Sequence, residues 1–101
     1  MAIKVLIKRS LNKDVPEEMV QTLNSLVIQM RSHALKHHGY ISGETLKCID
    51  RPGEYLVIST WDSLDDWEKW LNSQERILLE DKIDSITGRT TEYLTYVQLG
   101  N

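Results

Sequence analysis

Histidine and tryptophan side chains at short spacings are the residues of this sequence best suited to chemistry. His33 and His37 are four residues apart, so they share one face of a helix. Trp67 and Trp70 follow in a later segment with the character of a helix. Imidazole exchanges protons near neutral pH, and indole offers a flat apolar surface with one N–H donor. Side chains of these two types could hold a small aromatic molecule and take a proton from it.

The histidines leave three interpretations open. By helical angle His37 falls inside the apolar stripe of its helix, and His33 flanks that stripe. Two histidines at this spacing can hold a metal, but that face offers no third ligand, so no metal site is predicted. His37 at the rim of an apolar pocket could instead act as a general base for a phenolic proton. The plainer alternative is a partly exposed imidazole near a helix C-terminus, and His38 is expected to be solvated.

The tryptophans also have a purely structural interpretation. Trp67 shares its helix face with Leu64 and Leu71, which favours packing of that helix onto a sheet. Trp61 ends a predicted strand, where packing or an interface is favoured. Trp70 lies at the edge of the apolar helix face, so packing there is weighed against a place in the wall of a pocket.

Composition excludes several classes of protein. The chain has 101 residues with a net charge of −3 and no excess of Lys and Arg, so a nucleic-acid partner is not expected. The longest uncharged run, residues 19–30, is too short to cross a bilayer, and no membrane partner is expected. The single Cys48, interpreted as a small buried side chain, fits a reducing compartment. We therefore expect one cytoplasmic domain over residues 1–101.

The remaining motifs give no support to other chemistries. There is no glycine-rich phosphate loop, no G-x-S-x-G sequence and no CxxC, so nucleotide, flavin-type and hydrolase functions lack a motif. The acidic pairs at 17–18 and 65–66 are interpreted as first-turn helix charges. Glu80, Asp81 and Asp84 are interpreted as a solvated helix face.

Hydrophobic periodicity predicts the elements that must position these residues. The expected order is a strand at 2–9, a helix of about twenty residues from Pro16 to a stop at Gly39, a strand from Tyr40 to about Ile49, a strand at Tyr55–Trp61, a helix capped by Ser63 and running to Leu71, a helix capped by Ser73 from Gln74 to about Ile86 and ended by Gly88, and a strand at Thr90–Leu99. This β-α-β-β-α-β order, with the second helix split, predicts an α+β ferredoxin-like fold with a four-stranded antiparallel sheet and helices on one face.

The strands are apolar on both faces, which a single helical layer cannot cover. Neighbouring residues that point to opposite faces are both apolar at positions 5 and 6, 57 and 58, and 93 and 94. An exposed face of that character would be a large apolar patch. The sequence therefore predicts a homodimer that joins sheet to sheet.

Three segments carry a resemblance to a known family. They are VISTWDSLDDWEKWLNSQE at 57–75, HGYISGETL at 38–46 and RPGEYLV at 51–57, and Arg9 ends the first strand. Together they make the chain, over about residues 2–98, similar to the antibiotic biosynthesis monooxygenase family of dimeric α+β barrels. The resemblance places Trp70 at the pocket of that family.

The resemblance implies a monooxygenase that uses no bound cofactor and acts on a small aromatic or quinol-like molecule. His37 is then the candidate base and Trp70 a wall of the substrate site, with Trp61 and Tyr40 as further candidates for substrate binding. The alternative is a dimeric, non-catalytic module that binds a small apolar ligand.

Haem degradation is a further activity of the same fold. Those relatives use an asparagine on the first strand, a tryptophan on the second helical segment and a histidine ten residues after that tryptophan. Trp70 matches the tryptophan, but Glu80 stands at the histidine position and the first strand has no asparagine before Asn12. Both departures argue against haem chemistry.

Overall fold

The computed structural model describes residues 1–11, 14–88 and 91–100. Its elements are β1 (Ile3–Ser10), α1 (Glu17–Ala34), β2 (Tyr40–Lys47), β3 (Glu54–Trp61), α2 (Leu64–Leu71), α3 (Gln74–Thr87) and β4 (Glu92–Val97). The strands pair antiparallel in the order β2-β3-β1-β4. The predicted α+β fold with its four-stranded antiparallel sheet is confirmed.

Alternation along β1 decides which face of the sheet meets the helices. Ile3, Val5, Ile7 and Arg9 are buried, whereas the residues between them are exposed or half-buried. Their partners across β3 are residues 61, 59, 57 and 55, which therefore share the inner face. Arg9 thus occupies a position that the pattern reserves for a buried side chain.

The core lies between this inner face and the helices. Its largest fully buried side chains are Trp61, Leu23, Ile83 and Val5, contributed by β3, α1, α3 and β1. Burial of large apolar side chains from every layer stabilises the arrangement of helices on sheet.

Two serine caps split the second helical segment. Ser63 Oγ accepts a hydrogen bond from the Asp66 backbone N–H at 3.1 Å, and Ser73 Oγ accepts one from the Arg76 N–H at 3.4 Å. Each cap satisfies a donor that a helix start leaves free. Gly88, with a φ of 72°, then ends α3 in the left-handed conformation. The predicted split is confirmed, and it turns the chain between Trp70 and Arg76.

The C-terminal end of α1 differs from the prediction. The helix stops at Ala34, with Leu35 as its C-cap, and residues 35–39 form a turn that includes Gly39 at a φ of 90°. His37 therefore lies in this turn and not on the helical stripe that the periodicity assigned to it. The Leu35, Lys36 and His37 N–H groups still bond backward to carbonyls of the last turn, which is why the apolar spacing extends beyond the helix.

Other predictions of burial were wrong at single positions. Leu64, expected beside Trp67, is exposed, and the buried face of α2 consists of Asp66, Trp67 and Trp70. Cys48 lies just after β2 and is half-buried. Glu80, expected in solvent, is buried in the core-facing side of α3. The last strand spans only Glu92–Val97, and its predicted start at Thr90 lies outside the described residues.

The described residues contain neither a helix suited to a membrane nor a cluster suited to a metal ion. None of the helices within 1–11, 14–88 and 91–100 is long and apolar enough to cross a membrane. The same part of the chain holds no cluster of three or more histidine, cysteine or acidic side chains that would suit a metal ion.

Candidate functional site

A two-part cleft opens between α1 and the inner face of the sheet. Its inner part is a cavity of about 50 Å³ whose wall includes Trp61, Trp67, Trp70 and Tyr40. Its outer part is a groove of about 490 Å³ along α1 and the β2–β3 edge. The two parts share Arg9, Val27, Arg31 and Thr45, so they form one continuous cleft.

The aromatic wall of the inner cavity is held in place by ring contacts. Trp61 stacks on Trp70 with ring centroids 6.4 Å apart and meets Trp67 edge-on at 5.8 Å. Tyr40 contacts Trp61 edge-on at 5.3 Å, and its hydroxyl occupies the space that a side chain at Gly43 would fill. Such pairs contribute beyond simple area burial. The rings therefore form a rigid apolar surface that can exclude water from a ligand.

The predicted site residues come together only in part. Trp70, Trp61 and Tyr40 line one cavity, whereas His37 does not line it. The His37 ring packs edge-on against Trp70 at 5.4 Å and Trp61 at 6.4 Å between centroids. Its buried Nδ1 has no hydrogen-bond partner among the described residues. The role of His37 as a base stays a prediction.

The other two histidines contact carboxylate groups away from the cavity lining. His33 Nδ1 lies 3.3 Å from Glu75 Oε2, which ties α1 to α3. His38 Nδ1 lies 3.0 Å from Asp66 Oδ1. This hydrogen bond, together with one from Ser63, holds the pKa of Asp66 below its usual range. His33 and His38 are thus structural contacts in this fold.

A buried ionic cluster lies beside the aromatic wall. Arg9 donates from both terminal nitrogens to the Glu80 carboxylate at 3.0 to 3.2 Å. Arg76 donates to the same carboxylate at 3.2 Å and to the Tyr93 hydroxyl, which itself donates to Glu80 at 2.9 Å. Exposed fractions are only 3% for Arg9 and 8% for Arg76 and Glu80. Through these contacts the cluster joins β1, α3 and β4.

The cluster also shifts the acidity of its phenol. Burial and the adjacent Glu80 carboxylate raise the pKa of Tyr93 to about 12, because both disfavour a phenolate. Tyr93 therefore remains a neutral donor to Glu80 at physiological pH.

Sequence reasoning missed this cluster, although the sequence carries a signal for it. Arg9 continues the alternation of Ile3, Val5 and Ile7, and Glu80 lies one residue after Leu79 and four after Arg76. Charges at positions that a periodic pattern assigns to the interior are expected to be paired. That pairing crosses more than seventy residues of sequence, which no local pattern reveals.

Haem ligation does not suit this donor set. The residue at the position of the haem-ligating histidine is Glu80, and its carboxylate is engaged by Arg9, Arg76 and Tyr93. An iron ligand at this position would have to break that buried network.

Neutralising Glu80 is expected to destabilise the fold strongly. In Glu80→Gln, two buried guanidiniums lose their only carboxylate among the described residues, which costs about 3 to 5 kcal/mol of unfolding free energy. Urea denaturation followed by circular dichroism measures the loss. Glu68→Gln, on the exposed side of α2, is the control and should change the value by less than about 0.5 kcal/mol. Equal values for the two variants would contradict the prediction.

The raised pKa of Tyr93 predicts a loss of stability at alkaline pH. Above about pH 10 the unfolded chain releases the phenolic proton, while the folded chain keeps it up to about pH 12. The contribution of this group is therefore complete below pH 10 and is lost as the pH rises towards 12. Denaturation curves recorded from neutral pH to about pH 11 should fall more steeply for the wild type than for Tyr93→Phe. Parallel curves would contradict it.

Comparison with known proteins agrees with this fold. The crystal structure of a conserved protein from Methanosarcina mazei Go1 has a TM-score of 0.84 at 19% identity and covers 98% of this chain and 94% of that one. SnoaB, a cofactor-independent oxygenase from Streptomyces nogalater, has a TM-score of 0.83 at 11% identity over 99% of this chain and 95% of that one. At these identities the likeness shows a shared fold. No curated protein sequence matches the chain significantly.

The family is shown by a match along the sequence itself. The family model described as antibiotic biosynthesis monooxygenase matches residues 7–76. The matched segment contains Arg9 and all the aromatic residues of the cavity wall, and it spans well over half of the chain. The chain therefore belongs to the antibiotic biosynthesis monooxygenase family.

Proposed function

We propose that this protein is a cofactor-independent monooxygenase acting on a small aromatic or quinol-like substrate. The family is of the monooxygenase type. The observation that carries the proposal is the largely apolar cleft between α1 and the sheet. Its inner end is walled by Trp61, Trp67, Trp70 and Tyr40, and its outer groove of about 490 Å³ has room for a small aromatic ring. SnoaB, which shares the fold, is a cofactor-independent oxygenase, and this adds support by analogy.

The proposed reaction needs three contributions from the protein. A base takes the phenolic proton, and the electron-rich anion passes one electron to O₂, giving a substrate radical and superoxide. These combine into a carbon–oxygen bond, and the resulting peroxide takes up a proton and loses water to leave a carbonyl group on the ring. The protein supplies proton transfer, orientation of the ring and exclusion of water. The tight ring contacts around Trp61 support the last two.

Within this proposal His37 is the proton acceptor and Trp70 the wall against which the ring lies. The His37 ring contacts Trp70 and Trp61 but does not line the cavity. A proton taken from the substrate must therefore travel beyond the cavity lining to reach His37. The unpartnered Nδ1 of His37 supports this role, because an imidazole nitrogen without a hydrogen-bond partner is free to accept a proton. Trp61 and Tyr40 bind the substrate from the sheet side.

Oxygen uptake over a panel of quinols and polyphenols tests the proposal. Trp70→Ala should lower kcat/KM by about tenfold or more because the wall is lost, and His37→Gln should lower kcat by about a hundredfold because proton transfer is lost. His33→Gln replaces a half-exposed histidine in the last turn of α1; it is the control and should keep the wild-type rate.

The outcomes separate the wall from the base. Loss of rate in Trp70→Ala alone would remove His37 from the mechanism. Absence of uptake by the wild type with every substrate would overturn the oxygenase. The position of His37 outside the cavity lining would then favour the second candidate, a dimeric module that binds a small apolar ligand without turnover.

We also propose that two copies of the chain pair through the outer face of the sheet. Ile58, Leu6 and Leu94 are neighbours in one row across β3, β1 and β4 on that face. Leu94 is 56% exposed, and Tyr96, also on this face, is 49% exposed. Covering roughly 1,000 Å² or more of such surface, at ~25 cal/mol per Å², is a large favourable contribution before the costs of association are subtracted.

A charge on this face should separate the pair. Sedimentation velocity at micromolar concentration should show the wild type as a dimer and Leu94→Lys as a monomer, because a lysine there would be buried without a partner. Ile28→Lys places the same charge on an exposed position of α1 and should leave the dimer intact. A wild type that sediments as a folded monomer would overturn sheet-to-sheet pairing.

A further inference from the structure

The outer groove of the cleft carries a concentrated positive charge in an acidic protein. The chain has a net charge of −3, yet Arg9, Arg31 and Lys47 all line the groove, and none of its lining residues in the described part of the chain is acidic. The rest of the lining is largely apolar, with Leu23, Val27, Ile28, Leu35, Leu46 and Tyr55. Low-dielectric walls strengthen the field of such charges inside a cleft.

Arg9 is the cation at the junction of the groove and the inner cavity, and it is the most rigidly held. Nη1 donates to both Glu80 oxygens and to Thr91 Oγ1, and Nη2 donates to Glu80 Oε1, at distances from 3.0 to 3.2 Å. The guanidinium plane is therefore fixed by α3 and by Thr91, the residue just before β4. Its Nε–H is buried and has no acceptor among the described residues. A charged donor left in this state is costly unless a ligand satisfies it.

The charge of the buried cluster points the same way. Two guanidiniums, those of Arg9 and Arg76, share the single carboxylate of Glu80, and Tyr93 stays neutral. The cluster thus keeps one excess positive charge at 3% and 8% exposure of its arginines. Glu44 also lines the inner cavity, but its side chain is exposed and is not part of the buried cluster. An anion in the cleft would balance the remaining charge.

We propose that the cleft binds an acidic aromatic molecule whose oxyanion, a carboxylate or an ionised ring hydroxyl, accepts a hydrogen bond from Arg9 Nε–H. Its ring lies in the outer groove along α1 with one edge towards the aromatic wall, and Arg31 and Lys47 attract the anion towards the groove. The aromatic part of this ligand rests on the proposed function, whereas the anion site rests on Arg9 alone. Arg9 is a specificity-determining residue in this view, and Glu80 is the positioning residue that orients it.

Two matched pairs of probes test the site by isothermal titration calorimetry. The first pair is 2-naphthoate and 2-naphthylmethanol, and the second is 2-hydroxy-1,4-naphthoquinone, ionised at neutral pH, and its uncharged 2-methoxy ether. Within at least one pair the anion should bind about tenfold more tightly or better, as expected for one charge-assisted hydrogen bond. The pair that shows the preference identifies the carboxylate or the ionised hydroxyl as the recognised group. No preference in either pair overturns the proposal.

Arg9→Lys and Arg76→Lys separate the anion site from the stability of the cluster. Both variants keep the charge and the pairing with Glu80, but only Arg9 lines the cleft. Arg9→Lys should reduce the preference for the anion to less than about threefold, and Arg76→Lys should keep the wild-type preference. Retention in Arg9→Lys, or an equal loss in both variants, overturns the role of Arg9.

A measurement on the wild type keeps the test valid if Arg9→Lys fails to fold. The protected guanidinium Nε–H signal of a buried arginine can be followed by ¹H–¹⁵N nuclear magnetic resonance. This signal should shift on addition of 2-naphthoate and stay unchanged with 2-naphthylmethanol, and equal responses overturn the proposal. Oxygen uptake is scored separately: anion-selective binding without uptake of oxygen overturns only the oxygenase, and uptake without anion preference overturns only the anion site.

Discussion

The pairing of Glu80 with two buried arginines is the interaction on which the geometry of the cleft depends. It joins β1 to α3 through Arg9 and draws in Tyr93 from β4, so one carboxylate fixes three elements around the cleft. Buried ion pairs seldom add much stability compared with apolar residues, because desolvation offsets their attraction. They do select one arrangement, since any other leaves a charge unpaired. The cluster is therefore better explained by the precise placement of Arg9 than by stability.

The sheet imposes the second constraint, because both of its faces carry large apolar side chains and helices cover only one of them. The inner face is satisfied within the chain by Leu23, Ile83 and the aromatic wall. The outer row of Ile58, Leu6 and Leu94 has no cover within the described residues. Pairing of two copies would also stiffen β1 from its outer side, and β1 is the strand that carries Arg9. In the proposed pair, assembly and site geometry would be coupled through this one strand.

The fold could be predicted from the sequence because short-range patterns determine where each strand and helix begins and ends. Alternation in β1, the serine caps at 63 and 73 and the glycine at 88 each act within a few residues, and all three are confirmed. The site was harder to predict. Trp70, named through the resemblance, and Trp61, a weaker candidate, do line one cavity, but their role in binding stays a prediction. His37 was placed on a helix that ends three residues earlier, since apolar spacing continues into the turn. The ionic cluster was missed because its partners meet only when β1, α3 and β4 assemble.

The environment of Glu80 in the structure differs from both environments that the sequence suggested for it. By composition it belonged with Asp81 and Asp84 in a solvated run, and by resemblance it stood where haem-degrading relatives place a ligand. In the fold it does neither, because the Arg76 spacing of four residues turns it towards Arg9. Because the single carboxylate of Glu80 pairs with two guanidiniums, one positive charge is left uncompensated beside the aromatic wall. A positive charge beside an apolar wall favours a flat, apolar ligand that carries a negative charge at one end. An aromatic anion of this type is also the electron-rich species that could react with oxygen directly.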